Sequence, residues 1–316
     1  MDYVRLGNSG LKVSRISLGC WIFGSDSPTY GKPGKVSVTD SIRIIEKALD
    51  LGINFIDNAN RYTGGEAEEI LGKAIKGRRS DVVVATKVRG RMGPGPNDEG
   101  LSRVHIMREV ENSLRRLGTD YIDLYQAHSV DWETPLEETL RAFEDLISQG
   151  KVRYIGCSNF PAWVLAKSLW ISDVQHFTKF VSIQPVYSLA NREVEKEIQP
   201  LCVDQGIGMI LYSPLAGGLL SGKYENGAPA GSRGAAEPRM IEQVRRFEKG
   251  LGILKETAHA TGKTPSQVAL NWIINRPAVS SAIIGASQVE QLEENVGAVG
   301  WELPVELAQQ LDQAFA

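Results

Sequence analysis

The chain has 316 residues and a formal net charge of −3, with 42% hydrophobic and 23% charged residues. Such a composition is that of an ordinary globular protein, large enough to bury a core without disulfides or metals. It offers no basic field for nucleic acid, and we expect neither a signal peptide nor a membrane span. Three scattered cysteines (Cys20, Cys157 and Cys202) lack C-x-x-C spacing, which indicates reduced thiols in a cytoplasmic protein.

Short apolar runs alternate with helical patterns along the chain. A hairpin is predicted first, with strands at 3–6 and 11–13, and we expect it to plug the bottom of a barrel. Eight short strands follow, at 15–18, 54–57, 82–86, 121–126, 152–158, 181–187, 208–212 and 281–284. Strands that alternate with helices predict parallel βα units, and the count of eight favours closure. The predicted fold is α/β, a single (β/α)₈ TIM barrel domain over residues 1–316.

Several helix boundaries have local signals. Apolar residues step by three or four through 107–117 and stop at Gly118. Capping boxes with proline at the first helical position are predicted at 134–137 and 264–267. A long Gly/Pro-rich loop, 214–239, follows the seventh barrel strand, and loops of this length are usually functional or disordered.

Titratable residues cluster at the carboxyl ends of three neighbouring strands, where barrel enzymes hold their active sites. Asp57 ends the second strand and Tyr62 lies in the loop after it, Lys87 ends the third, and His128 follows the fourth. Together they suit proton donation to a carbonyl that receives hydride. Lys87, held by Asp57, would lower the pKa of Tyr62 from about 10, and His128 would hydrogen-bond the carbonyl.

Each of these residues taken alone also fits a structural role. Lys87 could instead form the Schiff base of an aldolase-type barrel. The four histidines show no metal-ligand spacing, so we expect no metal.

Segments 55–62 (FIDNANRY), 85–87 (ATK) and 125–128 (YQAH) resemble the Asp/Tyr/Lys/His tetrad of the aldo-keto reductase family. Further resemblances follow in order at the other strand ends, at 19–24, 154–160, 184–188, 212–218 and 284–295, and cover essentially the whole chain. One departure is Asn58, where many members have threonine.

No G-x-G-x-x-G opens a βαβ unit, so a Rossmann dinucleotide site is not expected. The family resemblance implies a different site, with a nicotinamide dinucleotide lying extended across the barrel mouth. Ser158, Asn159 and Gln184 would hold the carboxamide, and Tyr212 would stack on the ring. The remaining implied cofactor contacts are Cys20, Trp21 and Asp57, then Ser213, Pro214, Leu215 and Ala216 at the pyrophosphate, and Gly285, Ser287, Gln291, Glu294 and Asn295 toward the adenosine end. Residues 287–290 also form a capping box in sequence, with Ser287 as the cap.

Gly285 and Gln291 occupy places where many members have lysine and arginine. Lys223 and Arg233 in the long loop resemble the branch that includes the potassium-channel β subunits, where the equivalent residues close over the phosphates. The expected cofactor is therefore NADPH, ahead of NADH.

The implied function is reduction of aldehydes or ketones, with hydride from the nicotinamide and a proton from Tyr62. Trp21, Tyr62 and His128 would line the pocket for a small-molecule carbonyl substrate, which the sequence does not identify. The alternative is a cofactor-binding regulatory subunit of a partner protein. The channel branch has asparagine at the position of His128, so no protein partner is expected.

Overall fold

Eight parallel strands form a closed barrel in the computed structural model, which describes residues 1–24, 36–224 and 238–316. The barrel strands are β3 (Ile16–Gly19), β4 (Phe55–Asp57), β5 (Val83–Val88), β6 (Ile122–Ala127), β7 (Val152–Ser158), β8 (Ser182–Gln184), β9 (Gly208–Leu211) and β10 (Val279–Ile284). Each pairs with the next, and β10 pairs with both β9 and β3. The predicted (β/α)₈ barrel is confirmed.

Helices surround the barrel and cover its outer face with apolar side chains. They are α1 (Val38–Asp50), α2 (Glu66–Ala74), α3 (Arg103–Leu117), α4 (Leu136–Ser148), α5 (Ala162–Gln175), α6 (Ile198–Gln205), α7 (Pro238–Arg246), α8 (Glu248–Thr261), α9 (Pro265–Ile274), α10 (Val289–Val296) and α11 (Val305–Ala314). In α3, Ile106, Val110 and Leu114 recur at helical spacing and are buried. That helix ends at Gly118, whose left-handed φ of 63° suits a residue without a Cβ.

An antiparallel hairpin of β1 (Tyr3–Arg5) and β2 (Lys12–Ser14) closes the amino-terminal end of the barrel. Leu6 and Val13 are fully buried in a cluster with side chains from inside the barrel. The Gly7 turn fits so closely that a Cβ there would overlap the carbonyl oxygen of Gly206, which ends α6 just before β9. The predicted hairpin plug is therefore confirmed, and it leaves the carboxyl end of the barrel for the site.

One of the two predicted proline-containing capping boxes forms. The Thr264 hydroxyl accepts from the Gln267 backbone N–H at 3.2 Å, and the Gln267 side chain accepts from the Thr264 N–H at 3.1 Å. The prediction at 134–137 is wrong, because α4 begins after Pro135 without a side-chain cap. The Thr134 side chain lies one residue before the cap position, and its hydroxyl donates to the Asp131 carboxylate at 2.7 Å.

The predicted long loop after β9 is described at its two ends. The segment Ala216–Ser221 follows β9 as a pair of turns kinked at Gly217 and Gly218, and α7 begins at Pro238. Arg233 lies outside the described residues. Within the described ranges, no helix has the length and apolarity to cross a membrane, and no group of three or more His, Cys, Asp or Glu side chains could hold a metal. The organisation of residues 1–316 as one domain stays a prediction.

Candidate active site

Lys87 brings the candidate acid–base residues together at the barrel mouth. Its fully buried ammonium donates to Asp57 Oδ2 at 2.6 Å, to the Asn58 carbonyl at 2.8 Å and to the Tyr62 hydroxyl oxygen at 3.3 Å. An ammonium has three hydrogens and no acceptor, so all of its donors are used. This charged, buried amine is unsuited to the nucleophilic attack that a Schiff-base aldolase requires.

The Asp57 carboxylate is held from its other side by two amides. Its Oδ1 accepts from Gln184 Nε2 at 2.8 Å and from Gln126 Nε2 at 3.4 Å, while Oδ2 takes the ammonium of Lys87. A buried ion pair needs this complete set of hydrogen bonds to offset its loss of hydration. Asp57 therefore fixes Lys87 beneath the tyrosine.

Tyr62 lies at the start of a tight turn that turns its ring into the mouth. The next three residues, Thr63, Gly64 and Gly65, all have positive φ, of 45°, 65° and 105°. The Thr63 hydroxyl anchors the turn by donating to the Phe23 carbonyl at 2.9 Å. The tyrosine ring is 8% exposed and meets the His128 ring edge-on, with centroids 5.9 Å apart.

His128 presents a neutral imidazole to the cleft. Burial, and then the positive charges of Lys87, Arg61 and Arg89, lower the pKa of its ring well below the usual value. The backbone N–H donates to the Val88 carbonyl at 2.9 Å and fixes the residue beside β5. Its Nδ1 is buried without a hydrogen-bond partner in the described parts of the chain, which leaves the Nε2 edge for a ligand.

A cleft of about 1020 Å³ runs from this tetrad across the barrel mouth. It brings together the predicted residues Trp21, Asp57, Tyr62, His128, Ser158, Asn159, Gln184, Tyr212, Ser213, Pro214, Leu215, Lys223, Gly285, Ser287, Gln291, Glu294 and Asn295. Sequence reasoning named no site role for Ile22, Gly217, Gly218, Ser221, Ser266 and Gln288, which also line it. The volume exceeds the need of a small carbonyl compound alone and suits an extended ligand.

Cys20 and Ala216, both predicted to contact the cofactor, are not among the residues that line the cleft. The Cys20 side chain is fully buried, and burial raises the pKa of its thiol, so only its backbone stays near the site. That backbone N–H donates to the Asp57 carbonyl at 2.9 Å. Ala216 packs against the apolar core beneath the loop.

The residues predicted to hold the carboxamide already bond to one another. Asn159 Nδ2 donates to Ser158 Oγ at 2.9 Å, and Asn159 Oδ1 accepts from the Tyr212 hydroxyl at 2.9 Å. Ser158 in turn donates to the Gln184 carbonyl at 2.8 Å. An amide ligand that hydrogen-bonds to Asn159 would replace the hydrogen bond that Asn159 accepts from Tyr212.

Behind Tyr212 the backbone forms a concave turn suited to an anion. Ser213, Ala216, Gly217 and Gly218 have positive φ values of 56°, 48°, 67° and 95°. The Lys223 ammonium folds back over this turn so closely that a Cβ at Gly218 would overlap it. A curved backbone with a lysine above it fits the diphosphate of a dinucleotide.

At the far end of the cleft, the predicted cap formed by Ser287 is wrong. The cap position of α10 is Gln288, and no side chain bonds the first turn. The Gln291 side-chain oxygen instead accepts from both the Ser287 N–H, at 2.9 Å, and the Ser287 hydroxyl, at 3.1 Å. Glu294 accepts from the Thr264 hydroxyl at 2.8 Å.

The model of the aldo/keto reductase family matches residues 15–316, which includes every element that builds this cleft. The chain belongs to the aldo/keto reductase family. It is 40% identical to a probable voltage-gated potassium channel subunit beta of Arabidopsis thaliana, over 95% of this chain and 91% of that protein. It is 41% identical to an uncharacterized oxidoreductase, YrpG, of Bacillus subtilis (100% and 96% covered), and 36% identical to the L-glyceraldehyde 3-phosphate reductase of Escherichia coli K12 (95% and 88%).

This aldo/keto reductase also has a buried polar network behind Tyr62 that sequence reasoning missed. Glu68 is fully buried and accepts from Thr86 Oγ1 at 2.5 Å and from Arg116 Nε at 2.7 Å. A second buried carboxylate, Glu109, accepts from Asn60 Nδ2 at 3.0 Å, two residues before the tyrosine. The network therefore ties the tyrosine loop and β5 to α2 and α3.

Proposed function

We propose that this aldo/keto reductase uses NADPH to reduce aldehydes and ketones to alcohols, with Tyr62 as the proton donor. The observation that supports this most directly is the complete use of the Lys87 donors. Since Lys87 donates a hydrogen to the Tyr62 oxygen, that oxygen is an acceptor toward the lysine. The same oxygen carries the hydrogen that Tyr62 would pass to a carbonyl oxygen in the cleft.

The donor set of the cleft fits a nicotinamide dinucleotide. Ser158, Asn159 and Gln184 would hold the carboxamide, Tyr212 would cover the ring, and the turn at Ser213–Ala216 would take the diphosphate. When bound in its reduced form, the dinucleotide supplies the hydride that the protein's own residues lack.

The side chains of the tetrad then perform the proton step. His128, as a neutral Nε2–H donor, orients the carbonyl oxygen, and Tyr62 gives that oxygen its proton as the carbon is reduced. The ammonium of Lys87 stabilises the phenolate that develops, and Asp57 keeps the ammonium in place. Tyr62 regains a proton from solvent before the next turnover.

Preference for NADPH over NADH rests on the charge near the phosphates. Lys223 lines the cleft and lies over the turn at Gly218. Arg233 is proposed to assist from its position in the loop. Ser287 and Gln291 would contact the 2′-phosphate, close to the amino terminus of α10, which favours an anion.

Cofactor titration and turnover test this proposal. The protein is titrated with NADPH and with NADH through quenching of its six tryptophans, and oxidation of the nicotinamide is then followed with an aromatic aldehyde. We expect aldehyde-dependent oxidation, lost in Tyr62→Phe while NADPH binding persists. Lys223→Met should raise the NADPH Kd about tenfold, with exposed Lys249→Met as the matched control. Equal affinity for both cofactors would contradict the 2′-phosphate contacts.

A second candidate, a cofactor-binding regulatory subunit, is favoured by the similarity to proteins named as channel β subunits. The retained His128 beside Tyr62 argues for the enzyme, since a purely regulatory protein has no need of a carbonyl-orienting imidazole. NADPH binding without turnover across a broad carbonyl panel would favour the regulatory role. We further propose that the enzyme acts in the cytoplasm on small molecules, in keeping with its free, buried cysteines.

A further inference from the structure

Two arginines that the reduction mechanism does not use flank the catalytic pair. Arg61 directly precedes Tyr62, and Arg89 follows the strand that holds Lys87. The Arg61 side chain lies across the backbone next to Arg89, since a Cβ at Gly90 would overlap the Arg61 Cδ. The two cationic side chains are therefore neighbours close to Tyr62 and His128, just outside the set of residues that line the cleft.

Arg89 is fixed beside His128 in an unfavourable backbone conformation. Its Nε donates to the carbonyl of Val130 at 3.1 Å, two residues beyond the histidine. Its φ of 145° is one that residues with a Cβ seldom adopt, and such conformations cluster at functional sites. The fold thus holds this guanidinium at a defined place instead of leaving it in solvent.

The guanidinium of Arg89 forms no ion pair within the described parts of the chain, although the charge of Asp131 acts on it. No carboxylate among residues 1–24, 36–224 and 238–316 lies within ion-pair distance of it, and its terminal nitrogens have no hydrogen-bond partner there. The nearby Asp131 is engaged by the Leu101 N–H at 2.7 Å and the Thr134 hydroxyl at 2.7 Å. The carboxylate of Asp57, which lines the cleft beside the tyrosine, is paired with Lys87.

The field of these cations already acts on the substrate site. Arg61 and Arg89 are among the groups that keep the pKa of His128 low, after burial and Lys87. A cleft with an excess of one charge attracts ligands of the opposite charge and raises their local concentration.

We propose that the carbonyl compounds this enzyme prefers have an anionic group, a carboxylate or a phosphate, which Arg89 binds together with Arg61. This specificity rests on the proposed function, because it concerns the substrate of the same site. A planar guanidinium matches both anions through paired hydrogen bonds, and the two free nitrogens of Arg89 provide them.

The test compares two aldehydes with the same four-carbon chain, 4-oxobutanoate and butanal, each with saturating NADPH. We expect kcat/KM for 4-oxobutanoate to exceed that for butanal at least tenfold, and the ratio to fall about tenfold in Arg89→Gln. Arg91→Gln is the matched control, because Arg91 lies on the same loop but pairs with Glu99 at the surface. It should leave the ratio unchanged.

Salt dependence of the unmodified enzyme decides the matter even if Arg89→Gln fails to fold. Raising ionic strength should lower kcat/KM for 4-oxobutanoate and leave that for butanal within twofold. Equal rates for the two aldehydes, or equal salt dependence, overturn the anion preference while the reductase function stands. Absence of turnover with every carbonyl overturns the proposed function itself, and the preference with it.

Discussion

Loss of the Lys87 ammonium should slow carbonyl reduction far more than it weakens cofactor binding. The Nζ atom lies 3.3 Å from the Tyr62 oxygen. Two unit charges at that distance interact by about 5 kcal/mol at an effective dielectric constant near 20. With about half a charge developed on the phenolic oxygen in the transition state, the loss is ~2.5 kcal/mol. This corresponds to a decrease in kcat of roughly 70-fold.

The variant for this measurement must not leave a lone buried charge. Lys87→Met alone strands the Asp57 carboxylate, which destabilises the fold by about 3–5 kcal/mol. The double variant Asp57→Asn/Lys87→Met removes both charges and separates the chemical effect from the folding effect. Initial rates with an aromatic aldehyde give kcat, tryptophan quenching gives the NADPH Kd, and urea unfolding reports on stability.

The result that would refute this reasoning is specific. It is a double variant that folds, binds NADPH with a Kd within threefold of wild type and keeps more than a third of the wild-type kcat. That outcome would show that proton transfer does not depend on the Lys87 ammonium. The proton would then reach the carbonyl by another route, and the hydrogen bond between Lys87 and Tyr62 would be structural only.

Three further predictions follow from the geometry. Because the folded-state pKa of His128 is low, the unfolded chain takes up a proton there below about pH 6.5, whereas the native protein does not. Between pH 7 and pH 5, wild type should therefore lose more stability in urea titrations than His128→Gln does. Equal losses of stability would contradict a neutral imidazole ring. Arg116→Met should lower the free energy of unfolding by about 3 kcal/mol, because it leaves the buried Glu68 carboxylate without its cation. Adding Glu68→Gln should restore much of this stability. Gly218→Ala should destabilise the protein by more than about 1 kcal/mol, because Gly218 has a φ of 95° and the Lys223 ammonium occupies the place of a Cβ. Gly252→Ala, in a helix and with nothing within 4 Å of the new methyl group, should stabilise it, and thermal melts of the two variants measure both effects.

Strand positions could be predicted from sequence because each strand is a short apolar run between turn signals. The seventh, β7, has the predicted bounds of 152–158, whereas β8 spans only Ser182–Gln184 of the predicted 181–187. Pro185 has no N–H for the barrel ladder and ends the strand early. The periodicity of apolar residues indicates which positions are buried, but it does not indicate where a backbone N–H donor is missing.

The helix caps show that a local sequence pattern does not by itself determine which side chain caps a helix. Thr134, Thr264 and Ser287 occupy the same place in the same pattern, yet only Thr264 caps its helix. The other two hydroxyls donate to the side chains of Asp131 and Gln291. A cap requires the hydroxyl oxygen to accept from a backbone N–H of the first helical turn, and Thr264 does this while it also donates to Glu294. A four-residue pattern does not specify whether the hydroxyl oxygen faces the first turn.

The candidate tetrad could be predicted, whereas the network behind it could not. Asp57, Lys87 and His128 share the signal of strand ends, which topology brings to one mouth. Glu68 and Arg116 lie on two helices, 48 residues apart, and each alone has the sequence context of an ordinary exposed charge. Their pairing depends on how α2 packs against α3, a tertiary fact without a local signature.

Closure of the barrel between β10 and β3 has a consequence for how the protein folds. The Ser281 hydroxyl donates to the Ser14 carbonyl across a sequence separation of 267 residues, and Gln184 reaches Asp57 across 127. Contacts this distant form late, because the entropy of a large loop is lost before they contribute. During synthesis, the early strands must therefore wait with an open edge until the last one emerges. Until then the lysine and aspartate of the mouth lack their surroundings, so catalytic competence should appear only with the final, ring-closing step.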